Sequence, residues 1–123
     1  MRKIKLTINN VDFIAELYDS PTADKIYELL PIAAQGSLWG DEIYFSIPLT
    51  IEEEANAHQE IEVGELGFWP VGSAFCIFFG PTPVSTNEKP KAYSPVNVFG
   101  KITDDTSPLK QYESGCEVRV EIL

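Results

Sequence analysis

Apolar and polar residues alternate in short runs along most of this chain. Ile4, Leu6 and Ile8 alternate with Lys3, Lys5 and Thr7. An apolar side chain at every second position marks a strand with one buried face. Asn9-Asn10 follows, a hairpin turn because Asn tolerates positive φ. Val11, Phe13, Ala15 and Leu17 then alternate with Asp12, Ile14, Glu16 and Tyr18, a second strand. The period changes next. Ala23, Ile26, Tyr27 and Leu30 recur at helical spacing behind Ser20-Pro21, an N-cap followed by a first-turn proline, and Pro31 stops the run.

The rest of the chain returns to strands. Residues 32–38 form one, and Trp39-Gly40-Asp41 is a turn. Ile43, Phe45 and Ile47 alternate with Glu42, Tyr44 and Ser46. Residues 51–59 are acidic and irregular, and Ile61 and Val63 predict a short strand. Two apolar runs, 66–69 and 74–79, flank Pro70-Val71-Gly72. The second is apolar throughout and predicts a strand buried on both faces. Residues 80–94 read as a long loop with three prolines, 96–102 as a strand and 105–111 as a short helical turn. Val118, Val120 and Ile122 close the chain as a strand. This predicts a mainly β fold: a closed antiparallel β-barrel of about eight short strands, with one or two short helices capping the ends.

At 123 residues, 1–123 is one domain, and 44% hydrophobic against 23% charged is globular composition. The net charge of −10 disfavours nucleic acid and anionic membrane surfaces as partners. No apolar run approaches the ~20 residues of a membrane helix. The basic start Met1-Arg2-Lys3-Ile4-Lys5 lacks the apolar block of a signal peptide, so the expected location is cytoplasmic. Cys76 and Cys116 are then expected as thiols, each a small core hydrophobe. The single histidine, His58, lies in a polar stretch and is expected to be solvated. No zinc spacing, phosphate-binding glycine motif or nucleophile elbow occurs, so neither metal nor cofactor is expected.

Several segments resemble the cyclophilins. Phe13-Ile14-Ala15-Glu16-Leu17-Tyr18 with Ser20-Pro21-Thr22 is similar to their second strand and first helix. Gly64-Glu65-Leu66-Gly67-Phe68, Gly72-Ser73-Ala74-Phe75-Cys76-Ile77 and Val98-Phe99-Gly100-Lys101-Ile102 resemble later strands, in the same order. A closer resemblance is to a prokaryotic group of cyclophilin-like barrels with no assigned activity. It rests on Trp39-Gly40-Asp41-Glu42-Ile43-Tyr44-Phe45, Gly67-Phe68-Trp69-Pro70-Val71-Gly72, Phe78-Phe79-Gly80-Pro81-Thr82-Pro83 and Val96-Asn97-Val98-Phe99-Gly100-Lys101-Ile102.

The resemblance implies a prolyl-isomerase groove, but its chemistry does not carry over. The family's glutamine falls on Ala74, its second phenylalanine on Cys76, its histidine on Val96 and its tryptophan on Lys91. Arg2 and Arg119 are the only arginines, and none lies where the family's catalytic one belongs. Lysine does not replace a planar, multi-donor guanidinium. No catalytic residue is therefore assigned. The expected function is a non-catalytic binding module for a peptide or small molecule. A prolyl isomerase, or another enzyme with a non-standard active site, is the alternative, and a structural homodimer a third reading. Candidate ligand-binding residues are Trp39, Tyr44, Trp69, Phe78 and Thr82, since Trp and Tyr join apolar area to a polar handle and Gly80-Pro81-Thr82-Pro83 is a rigid loop. Asp41 and Glu42 are expected on opposite faces and so not as an acid–base pair, and Glu52, Glu53 and Glu54 as a solvated run.

Overall fold

The computed structural model describes residues 2–123. Nine strands are present among them. They are β1 (Lys3–Ile8), β2 (Val11–Leu17), β3 (Ile32–Leu38), β4 (Glu42–Ser46), β5 (His58–Glu60), β6 (Glu65–Trp69), β7 (Ala74–Phe78), β8 (Lys91–Ile102) and β9 (Cys116–Ile122). One helix, α1 (Pro21–Leu29), follows β2, and a 3-10 turn at Ser107–Gln111 precedes β9. Every pairing is antiparallel. The order β2-β1-β9-β3-β4-β7-β6-β8 returns to β2 through a β2–β8 pairing, so the sheet forms a barrel-like ring, with β5 added beyond β8. A closed ring leaves few unpaired backbone edges.

Local signals set the turns. Asn9 and Asn10 join β1 to β2 with φ of 46° and 73°. The Ser20 hydroxyl accepts from the Ala23 amide at 3.1 Å, capping α1. The inward faces meet in one core that includes Ile4, Leu6, Phe13, Ile43, Phe45, Phe75, Ile77, Phe99 and Val120. Phe75 stacks on Phe45 at 4.9 Å and meets Phe99 edge-on at 5.1 Å. Ala23 and Ile26 of α1 and Leu109 of the 3-10 turn are buried in the same core.

Two strand boundaries differ from the expectation. The short strand near residue 61 is His58–Glu60, not Ile61 and Val63. Ile61 instead gives its amide to the Pro90 carbonyl at 3.1 Å and is buried, while Val63 is exposed. The loop over 80–94 ends early, because β8 begins at Lys91 and runs through Pro95. Proline lacks the amide a regular ladder needs. The ladder is irregular there: His58 faces Val96 and Glu60 faces Lys91, so β8 advances five residues against two. Both elements were expected, so these shifts move strand ends without adding a strand.

The acidic segment is also less free than expected. Asn97, 1% exposed, accepts from the Glu54 amide at 2.8 Å and donates to the Glu52 carbonyl at 2.9 Å and to Thr22 Oγ1 at 3.1 Å. The Glu54 carboxylate in turn takes a hydrogen bond from Thr22. One buried side chain of β8 thus fixes both α1 and the 52–54 segment. Among the described residues no helix is long and apolar enough to cross a membrane.

Candidate functional site

The outer face of the β4–β7–β6 wall carries a second apolar cluster. Period-2 alternation sends Phe75, Ile77 and Phe79 into the barrel, and Ala74, Cys76 and Phe78 out of it. Strand β7 is nevertheless buried at every position. Ile61 and, from the first half of β8, Ala92 and Val96 pack over its outer side, with Trp69 and Val98 at the margin. Glycine at 67 makes this approach possible: a Cβ there would lie 2.9 Å from Val96 Cγ2.

The cover is incomplete and leaves a cavity of about 230 Å³. Trp39, Tyr44, Trp69, Phe78 and Tyr93 supply aromatic walls, and Glu42, Cys76, Ala92 and Val96 complete the lining. Tyr93, 68% exposed, stands at the rim. Its ring meets both Trp39 and Trp69 edge-on with centroids 6.1 Å away. The Trp69 indole N–H donates to Ser94 Oγ at 2.6 Å, tying β6 to the rim.

The turn that presents Trp39 is braced. Its amide donates to the Glu42 carbonyl at 2.9 Å, and Gly40 adopts φ of 59°. The 80–83 loop packs directly on this turn. Asp41 N–H donates to the Pro81 carbonyl at 3.0 Å, and Phe79 N–H to the Asp41 carbonyl at 2.9 Å.

Glu42 is the unexpected member. As anticipated, Asp41 and Glu42 do not form a pair: Asp41 lies 3.9 Å from Lys110, while Glu42 lines the cavity. Glu42 is 7% exposed and belongs to none of the ion pairs among the described residues. Burial pushes its carboxyl from an ordinary 4.5 up to about 7, and the neighbouring Cys76 thiol opposes that shift. Burial beside this carboxyl raises the Cys76 thiol well above its usual range, so the sulfur is held protonated.

Four of the five sequence-derived candidates, Trp39, Tyr44, Trp69 and Phe78, therefore share one cavity. Thr82 does not line it. Thr82 is buried, its hydroxyl donates to the Lys91 carbonyl at 2.5 Å, and its amide donates to Ser85 Oγ at 2.9 Å. It anchors the loop to the start of β8. Sequence reasoning missed Glu42, Cys76, Ala92, Tyr93 and Val96 as cavity residues. For Glu42 the signal was present: it shares the outward parity of Tyr44. Tyr93 was hidden because its stretch read as loop.

The remaining candidates for chemistry lie apart. His58 is exposed, with Nδ1 2.8 Å from the Asn56 carbonyl. Cys76 and Cys116 are both buried free thiols, in separate clusters. Among the described residues no three His, Cys, Asp or Glu side chains converge as a metal-binding set. Arg2 pairs with Asp24 at 2.5 Å and lies over the Tyr27 ring, and Arg119 lies 3.7 Å from Glu121. Neither guanidinium lines the cavity.

A family model described as cyclophilin-like matches residues 2–121. The solution structure of the hypothetical protein AF2241 from Archaeoglobus fulgidus is 34% identical, with a TM-score of 0.83 over 99% of this chain and 95% of that one. The structure of McbB in complex with tryptophan is 15% identical, with a TM-score of 0.70 over 97% of this chain and 44% of McbB, a likeness of fold alone. No curated protein matches the chain.

Proposed function

We propose that this chain, which belongs to the cyclophilin-like family, is a binding module that holds a small, ring-sized organic molecule in the cavity on its outer wall. The cavity itself carries the reading. Its volume of about 230 Å³ falls below the roughly 300–1,000 Å³ of sites for drug-sized ligands. It suits one ring system, or one side chain presented by a peptide. Its walls are predominantly aromatic, and they offer flat faces against which a ring stacks. McbB, which shares the fold, is solved with tryptophan, so indoles are natural first probes.

The chemistry of the lining favours holding over turnover. Its thiol is buried and protonated, a poor nucleophile. No guanidinium, lysine or histidine is present to stabilise a twisted prolyl amide. We therefore rank binding above prolyl isomerisation.

Thermal melting of the protein with tryptophan, indole and simple benzenoid compounds tests this reading, because a ligand of the native state alone raises the melting temperature by mass action. Amide shift mapping then locates the contact. Shifts clustered at Trp39, Tyr44, Trp69 and Tyr93 are expected. Shifts confined to Glu52, Glu53 and Glu54 would show an ionic surface contact and overturn it.

A further inference from the structure

Resting on the reading that the outer-wall cavity binds a ring-sized molecule, we infer that its occupant carries a protonated amine whose N–H donates to the Glu42 carboxylate. A buried carboxylate is costly unless a cation or several donors compensate it. The Cys76 thiol lies beside Glu42, and no ion pair among the described residues includes it. The cavity holds no lysine, arginine or histidine. Whenever it is ionised, this carboxylate lacks a cation among the cavity residues, and an occupant from outside can supply one.

Two independent features agree. Aromatic faces attract cations through the negative lobes of their quadrupoles. Trp39, Tyr44, Trp69 and Tyr93 border the space beside Glu42, so an ammonium group there meets both a carboxylate and ring faces. The chain also carries a net charge of −10. Such a field raises the local concentration of cations and lowers that of anions. An arylalkyl amine fits all of these, with its ring on the apolar floor of Cys76, Phe78 and Val96 and its nitrogen at Glu42. An occupant with a carbonyl in place of the amine would instead accept a hydrogen bond from a protonated Glu42.

The test uses the whole protein at pH 8, with benzylamine and its neutral analogue benzyl alcohol as probes, followed by calorimetry and by amide shifts of the cavity residues. Benzylamine is expected to bind about tenfold more tightly than benzyl alcohol, the scale of one charge-assisted hydrogen bond. In Glu42→Gln that preference is expected to disappear while benzyl alcohol still binds. Equal binding of the two probes by the unaltered protein, or a preference that survives Glu42→Gln, would overturn the amine inference and leave the cavity reading standing. If neither probe perturbs Trp39, Trp69 or Tyr93, both readings fall. Should Glu42→Gln fail to fold, the comparison of the two probes on the unaltered protein decides alone.

Discussion

Glu42 and Cys76 lie diagonally across the β4–β7 pairing, Glu42 opposite Phe78 and Cys76 opposite Tyr44, so that both side chains leave the same face of the sheet. Diagonal neighbours on one face of an antiparallel pair are within reach of each other. The thiol accordingly lies beside the carboxyl, while its hydrogen bond runs to the Ala74 carbonyl at 3.7 Å. This places an acid of unusual affinity for its proton in the floor of an aromatic cavity.

Stability should fall with rising pH because of this one residue. Below pH 4.5 the Glu42 carboxyl is protonated in both folded and unfolded chains and contributes nothing. Between 4.5 and about 7 the folded state keeps a proton that the unfolded state has lost, so stability declines as pH rises. Above that window the cost is complete, about 3 kcal/mol. Urea denaturation of the parent and of Glu42→Gln at pH 4 and pH 8 checks this. The glutamine variant should gain on the parent by that order between the two pH values. A constant difference would show that the carboxyl is not strained by burial.

Prolyl isomerase activity should be absent. The only arginines are held elsewhere, Arg2 by Asp24 and Tyr27 and Arg119 beside Glu121. A protease-coupled or NMR exchange assay on X–Pro peptides is expected to show the uncatalysed rate. Turnover at ordinary cyclophilin rates would contradict the absence of a guanidinium from the cavity.

Gly40→Ala should disrupt the Trp39 turn. Gly40 has φ of 59°, and an added Cβ would lie 2.8 Å from Pro83 Cδ and 2.9 Å from Thr82 Cα. Backbone strain and a clash with main-chain atoms act together, and a loss of about 2 kcal/mol or more is expected. Thermal unfolding measures it, and an unchanged melting temperature would refute the packing of the 80–83 loop on this turn.

Asn97→Ala should cost about 3 kcal/mol, roughly 1 kcal/mol for each hydrogen bond lost. It removes the bonds to Thr22, the Glu52 carbonyl and the Glu54 amide. Hydrogen exchange at Glu54 should accelerate more than exchange in β1. Uniform acceleration would mean that the segment unfolds only with the whole chain.

Ser94→Ala should loosen the rim with little effect on the barrel. The hydroxyl accepts from the Trp69 indole at 2.6 Å, worth about 1 kcal/mol. Red-shifted tryptophan emission, with a melting temperature close to the parent's, is the expected signature. Unchanged emission would show that Ser94 does not hold Trp69 in place.

The strands with one buried face were legible because alternation is a strong signal, as in Ile4, Leu6 and Ile8 or Val118 and Val120, although Ile122 at the end of that run is exposed. The all-apolar run at 74–79 announced two covered faces, and β7 has them. What failed were positions where ladder irregularity defeats periodicity. Pro81, Pro83 and Pro90 made residues 80–94 read as one loop, although β8 begins at Lys91 and a register shift accommodates Pro95. That reading concealed Ala92 and Tyr93 as cavity residues. Glu42 was missed for another reason: a lone carboxylate in a strand looks solvated until something covers it, and its cover comes from segments far along the chain.

Strand β7 serves two masters, since Cys76 and Phe78 floor the cavity while Phe75 and Ile77 fill the barrel. Amides of such a strand open only with the global transition, so the cavity floor is preorganised. The rim, with Tyr93 largely in solvent, is free to vary. Divergence of ligand preference among relatives should therefore be sought at the rim, because changes in the floor tax the fold itself.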